Sequence, residues 1–332
     1  VLSAVLPFTL WRQGQLTSFH WLGIAFVIYA ATSLLWNTDP YGGVYGLWLL
    51  CVIALSFWLG STLSSLRDVY AGLAIGGAVS SAVAVVQWLG YQPLPISVDS
   101  RETAGIYFNS IAQAEILALI IVALLTERMY FYMVPLIPGL VLAQSRGAWL
   151  ALGIGFLALF IRRTWLFVIV GAAGLVFWFQ YSSSDAQRLW IWTAAYNELS
   201  FFGNGAGSFA SQLYSNGLAP IYPEYVHNDA LQLAYEYGIA ALAPAIILTF
   251  VLFQTKAREW PIVMAFVTMG LYSFPLWMAV TSFIGMVAAG RIVRSWAMDG
   301  RFSSYCRSVV DARLRQSSGK NVSMVSANTG IG

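Results

Sequence analysis

The sequence predicts an all-α polytopic membrane protein of about ten transmembrane helices, with one long outward loop carrying short helices. Three observations predict it. Hydrophobic residues make up 59% of the 332-residue chain and charged residues only 9%, against about 25% charged in an ordinary soluble domain. Apolar segments recur along the whole length at a spacing that fits membrane spans. The basic residues fall almost entirely on alternate connections between those segments.

The elements follow in order. The chain does not begin with Met, and residues 1–10 read as the end of an apolar span cut off upstream. They lack the charged start and small-residue cleavage site of a signal peptide. Residues 1–19 make a truncated first span with a cytoplasmic loop, 20–296 the membrane domain, and 297–332 a flexible, Ser-rich cytoplasmic tail on the anionic inner leaflet. Candidate spans lie near 20–36, 44–60, 69–90, 111–125, 129–143, 147–161, 164–180, 228–254, 259–275 and 277–293. Several are shorter than the roughly 20 residues of a spanning helix, so adjoining polar residues extend into the helices. Cys51 and Cys306 fall in a span and in the tail, with no pairing expected and no metal-ligand spacing around them. His20 opens the first full span on the inner side and reads as interfacial.

Charge sets the orientation. Placing a loop at 181–226 outside, and alternating from there, puts fourteen of the seventeen basic residues inside. These are Arg12, Arg67, Arg128, Arg162, Arg163, Lys256, Arg258 and every one from Arg291 onward. Arg101, Arg146 and Arg188 remain outside. Arginine stays charged and its fork matches phosphate, so a diphosphate at the outer face is the natural ligand. Arg101, between Asp99 and Glu102, reads as a solvated surface charge. Arg146 stands in Gln144-Ser145-Arg146-Gly147 and has two readings. It snorkels to the headgroups, or it binds a ligand beside a glycine that permits close approach. Its breach of the charge rule favours binding. Arg188 precedes Trp190 and Trp192, and that stretch fits an amphipathic interfacial helix equally well. Glu115, beside Gln113 in an apolar span, is a buried carboxylate without an evident partner.

The densest polar signal is Val226-His227-Asn228-Asp229-Ala230-Leu231-Gln232, followed by Glu236 and Gly238. Histidine titrates nearest neutrality. A helix starting at His227 places Asn228, Gln232 and Glu236 on one face. Asn228 or Asp229 reads as its N-cap; capping leaves His227, Gln232 and Glu236 unexplained. Glu236 lies about 13 Å along that helix from His227, too far to touch the ring, which points to a structural role or a deeper polar network. Gly203-Asn204-Gly205-Ala206-Gly207 makes either an anion-binding nest or a plain turn. Tyr214, Tyr222 and Tyr225, with Pro220 and Pro223, suit sugar rings and the membrane interface alike. The sequence holds no P-loop, no Rossmann fingerprint and no internal repeat.

In this order, Ser145-Arg146-Gly147-Ala148, then Arg188 and Trp192, then Gly203 to Phe209, then His227-Asn228 with Leu231, Gln232, Glu236 and Gly238, the chain resembles the O-antigen ligase/polymerase superfamily. The likeness covers roughly residues 103 to 290, including the region after Tyr272-Ser273-Phe274-Pro275. It implies a membrane glycosyltransferase that moves a glycan from a polyprenyl (undecaprenyl) diphosphate carrier to an acceptor hydroxyl. The work takes place at the periplasmic face of the bacterial inner membrane, without metal, nucleotide or other cofactor. The family's paired arginines and its histidine map onto Arg146, Arg188 and His227. One departure stands out: members often carry two asparagines after a Gly-aromatic stretch, and Gly105-Ile106-Tyr107-Phe108-Asn109-Ser110-Ile111 keeps Asn109 alone.

The resemblance and the residues point to one mechanism. Arg146 and Arg188 hold the leaving diphosphate and stabilise its growing charge, and His227 orients or deprotonates the acceptor hydroxyl. Ser145, Asn228, Gln232, Glu236, Gly205 and Gly207 support them. The partners implied are the lipid-linked glycan, an acceptor that is a glycan, a lipid A core or a protein, and membrane lipids, with no nucleic acid. The acceptor decides between a ligase, an O-antigen polymerase and a protein O-oligosaccharyltransferase. A transporter or flippase of lipid-linked glycan is the alternative of a different class. Transporters place their polar site near the midplane on interrupted helices, whereas the unusual polar residues here gather at one face. A purely structural membrane scaffold is a third, weaker alternative.

Overall fold

The structure, a computed structural model, describes residues 18–37, 39–93, 103–107, 109–160, 183–215, 225–243, 246–247 and 257–298. Every regular element among them is helical. We number the α-helices α1 (Ser18–Ser33), α2 (Pro40–Thr62), α3 (Arg67–Trp88), α4 (Ser110–Thr126), α5 (Ile137–Ala143), α6 (Arg146–Ala158), α7 (Ser183–Asn197), α8 (Phe209–Ser215), α9 (Asp229–Tyr237), α10 (Trp260–Gly270) and α11 (Ala279–Met298). Two of them, α2 and α3, are long and apolar enough to cross a membrane, and α4, α6 and α10 are shorter apolar helices.

Local chemistry starts these helices. Asp39 caps α2, accepting from Gly42 N at 2.9 Å, with Pro40 in the first turn. Asn109 caps α4, accepting from Ala112 N at 2.7 Å. That capping bond gives the lone asparagine of the Gly-aromatic stretch a structural role.

Helix α4 is the axis of the bundle. It is buried on nearly every side and packs against α3, α5, α6, α10 and α11. Its apolar side chains join those of α6, α10 and α11 in one core. Helices α2 and α11 meet at glycines: a Cβ on Gly60 would lie 1.9 Å from Val287 O, and one on Gly290 1.9 Å from Phe57 O. Small residues at such crossings let backbones touch, the packing that apolar surroundings favour.

Several expected spans differ in detail. The 129–143 span is a 3₁₀ turn, Tyr130–Leu136, followed by the short α5, with Pro135 inside that turn. The 228–254 segment breaks after α9, because Gly238 adopts φ 84° and its α-carbon lies against Phe201 O. The 259–275 span ends as α-helix at Gly270. His20 is buried: its Nε2 lies 2.8 Å from Ser61 Oγ near the end of α2, and its ring packs edge-on to Phe57. Short helices do occupy the long loop, as α7 and α8. Cys51 is a free thiol. The span at 164–180, Arg12, Arg101, Arg162, Arg163, Lys256, Cys306 and the tail from 299 lie outside the described residues.

The helices also give the bundle two ends. At one, Gly42 in the first turn of α2 packs on Gly207, and Ser33 at the end of α1 accepts from Ala206 N at 3.1 Å. At the other, Arg291 and Arg294 of α11 donate to the last carbonyls of α2, and Arg258 donates to Thr126 O at 2.9 Å. The residues of the predicted site lie at the first end.

Candidate functional site

Helix α9 is built outward from its own sequence. Asn228, not Asp229, is the N-cap: its Oδ1 accepts from Leu231 N at 2.9 Å. One turn on, Gln232 Oε1 accepts from Val226 N at 3.0 Å, and Gln232 Nε2 donates to Glu236 Oε1 at 3.1 Å. Asn228, Gln232 and Glu236 therefore share a face. Glu236 is 1% exposed, its Oε2 accepts from Gly207 N at 2.9 Å, and the backbone of Phe209 lies close to the same carboxyl. Gly205 N donates to the Glu236 carbonyl at 2.9 Å. The glycine turn is thus a nest of backbone donors, and the acceptor in it is the chain's own Glu236 carboxyl. Gly207 adopts φ 64°, and a Cβ there would lie 2.0 Å from Gly42 O. This network fastens α9 to the loop before α8 and to α2.

His227 sits at the head of this construction. Its φ is 58°, the left-handed region that a side chain other than glycine enters at a cost of about 1–2 kcal/mol. Its neighbours hold it there. Trp192 Nε1 of α7 donates to Val226 O at 2.9 Å, and Phe274 meets the His227 ring edge-on, centroids 5.0 Å apart. Tyr225 stacks on the other side of this corner, 4.4 Å from Phe274. The ring is half-buried. Burial first, and the positive charge of Arg188 second, pull its pKa down to about 4. It is therefore neutral at physiological pH and one ring nitrogen is free of a proton.

Arg188 lies on α7, four residues before Trp192. Its charge reaches both His227 and Glu115, so these three belong to one electrostatic cluster. Arg146 is exposed at the start of α6, after Gln144 in the left-handed conformation that ends α5. Ser145 caps α6 through Ala148 N at 3.4 Å. Farther along α6, Gly155 packs on Val122 near the end of α4, so the two helices run the same way and Arg146 lies at the Glu115 end of the bundle. A Cβ on Gly147 would meet nothing within 4 Å. The side chain of Tyr214, together with Tyr222, Pro220 and Pro223, lies outside the described residues.

The sequence matches no protein-family model and no curated protein.

One part of the site was not legible beforehand. Asp229 turns away from the cap: its Oδ2 accepts from Leu276 N at 3.0 Å, which holds the 3₁₀ turn Pro275–Trp277 against α9. Among the described residues its Oδ1 has no hydrogen-bond partner, and that atom is fully buried. Glu115 approaches both Ser273 and Asp229. Neither Glu115 Oε2 nor Ser273 Oγ has a partner of hydrogen-bonding geometry among the described residues. Two carboxyls and a hydroxyl thus meet beneath His227 and Arg188. The only signal for them in the sequence was acidic residues in apolar stretches.

Proposed function

We propose that this chain is a membrane glycosyltransferase of O-antigen ligase type. It moves a glycan from a polyprenyl diphosphate carrier to an acceptor hydroxyl at the periplasmic face of the bacterial inner membrane. The observation that carries this reading is His227: neutral, half-buried, pinned in a left-handed conformation and facing the charge of Arg188. Held conformations of this kind gather at functional sites. The order of motifs around it is the second support.

In this reading the acceptor oxygen attacks the anomeric carbon of the lipid-linked sugar. The bond from that carbon to the diphosphate oxygen breaks, and the electron pair leaves with the diphosphate. The acceptor proton passes to the free nitrogen of His227. Arg188 and Arg146 bind the diphosphate, with Gly147 leaving room for its approach. The proposed topology has about ten spans in 20–296, with 181–226 periplasmic. It is supported by the described arginines Arg258, Arg291 and Arg294, which lie at the end of the bundle away from His227.

A transporter or flippase of lipid-linked glycan is the second reading, and the buried Glu115 and Asp229 are what favour it. Their place at one end of the bundle, beside His227, suits the transferase better. The test is transfer per folded molecule and donor binding, measured on wild type and His227→Ala. The transferase reading expects His227→Ala to abolish transfer while donor binding stays within about twofold. Equal transfer per folded molecule removes His227 from the mechanism. Movement of lipid-linked glycan across vesicles without a new glycosidic bond would establish a transporter in place of the transferase.

A further inference from the structure

At the end of the bundle away from His227, a cavity of about 440 Å³ opens between helix ends. Its walls include Ser64 beyond α2, Glu127 beyond α4, Arg258 and Glu259 before α10, and Arg291 and Arg294 of α11. Helix α2 joins this cavity to the candidate site. Gly42 in its first turn packs on Gly207, and Thr62 at its end accepts from Arg294. The helix between them rises about 30 Å, which is the hydrocarbon thickness of a bilayer. The cavity therefore lies at the opposite headgroup plane when the chain spans a membrane.

The arginines are held in place by backbone. Arg291 donates to Leu63 O and Ser64 O at 2.7 Å each, and Arg294 Nη1 donates to Leu63 O at 2.8 Å. These bonds answer the free carbonyls at the end of α2. Arg258 Nη1 pairs with Glu127 at 3.1 Å, and Arg291 Nε with Glu259 at 3.6 Å. Each carboxylate thus has its own cation, and among the described residues Arg294 faces no carboxylate of its own. Arg258 Nη2 and the Nε and Nη2 of Arg294 make no hydrogen bond among the described residues. The Ser64 side chain is exposed in the same wall. Fixed guanidinium forks with spare donors match the geometry of phosphate. Basic pockets between helices at the inner headgroup plane take anionic lipid headgroups.

We propose that this cavity binds the phosphate group of an anionic phospholipid headgroup, with Arg294 and Arg258 as donors and the Ser64 hydroxyl beside them. The proposal rests on the chain spanning a membrane and is independent of the transferase reading. The test uses the purified full chain in neutral micelles. Phosphatidylglycerol, phosphatidylcholine and inorganic phosphate are titrated separately, and the thermal-unfolding midpoint is read. The midpoint should rise saturably with phosphatidylglycerol and not with phosphatidylcholine. Arg294→Gln should weaken the apparent affinity by roughly ten- to a hundredfold, the worth of a charge-assisted hydrogen bond. Ser64→Glu sets a negative charge in the wall, leaves the arginine bonds to backbone intact, and should weaken it comparably. An equal response to inorganic phosphate would keep the anion site and overturn its lipid source. Equal responses to both lipids, or an unchanged response in a folded Ser64→Glu, would overturn the site.

Discussion

Glu236→Gln probes the node on which His227 rests. The Glu236 carboxyl accepts from two donors, Gly207 N at 2.9 Å and Gln232 Nε2 at 3.1 Å, with the Phe209 backbone close by. In Glu236→Gln the new amide oxygen still faces Gly207 and Phe209. Its NH₂ then confronts the NH₂ of Gln232. Turning the Gln232 amide over relieves that contact but sets its NH₂ against Val226 N, which now donates to Gln232 Oε1 at 3.0 Å. Two buried donors then face each other without an acceptor either way, at a cost of about 1–3 kcal/mol each. Glu236→Ala likewise leaves two donors, Gly207 N and Gln232 Nε2, without an acceptor and adds a cavity, at roughly 3–7 kcal/mol in all. Against a total stability of about 5–15 kcal/mol, both changes deplete the folded protein, the second more than the first. Adding Gln232→Glu to Glu236→Gln restores every bond. The carboxylate now at 232 accepts from Val226 N and from the new amide, whose oxygen keeps Gly207 N. The assay is thermal unfolding of the purified wild type, both single variants and the double variant, with the coupling read as a double-mutant cycle. A double variant no more stable than Glu236→Gln alone would refute this account of the node.

Further outcomes follow from the geometry. Arg146→Lys and Arg188→Lys should insert normally yet each lose most transfer activity, because an ammonium cannot make the bidentate phosphate contact; near-normal transfer in both would remove them from donor binding. The His227 ring titrates near 4 when folded and near 6.5 when unfolded. The unfolded chain therefore binds the extra proton between these values, and stability falls as pH drops from about 6.5 towards 4. The kcat/KM for transfer should be level above about pH 5 and fall through pH 4; an inflection near 6.5 would show that burial and Arg188 do not act on the ring. Gly207→Ala forces a side chain into φ 64° and onto Gly42 O. It should cost about 3 kcal/mol or more. Gly147→Ala meets open space and should gain up to about 1 kcal/mol of stability while lowering transfer if the diphosphate approaches there. Unfolding midpoints and transfer rates of the two variants separate these effects.

Composition and periodicity alone determined the helical class, the helices carried by the long loop, and the shared face of Asn228, Gln232 and Glu236. Such properties are local. They depend on the period of a helix and on how often charge interrupts apolar sequence, and both can be counted along a chain. The same reading allowed Asn228 or Asp229 to cap α9 and left the glycine turn as either a nest or a bend. Only tertiary packing decided between them. Asn228 caps because the turn at Leu276 draws Asp229 away, and the nest forms because α9 brings Glu236 to Gly207 and Phe209. The left-handed conformation of His227 and the meeting of Glu115 with Ser273 and Asp229 were likewise beyond the sequence. A buried polar group takes its partner from whichever segment packs opposite. Ser273 follows Glu115 by more than 150 residues, and no local pattern carries that pairing.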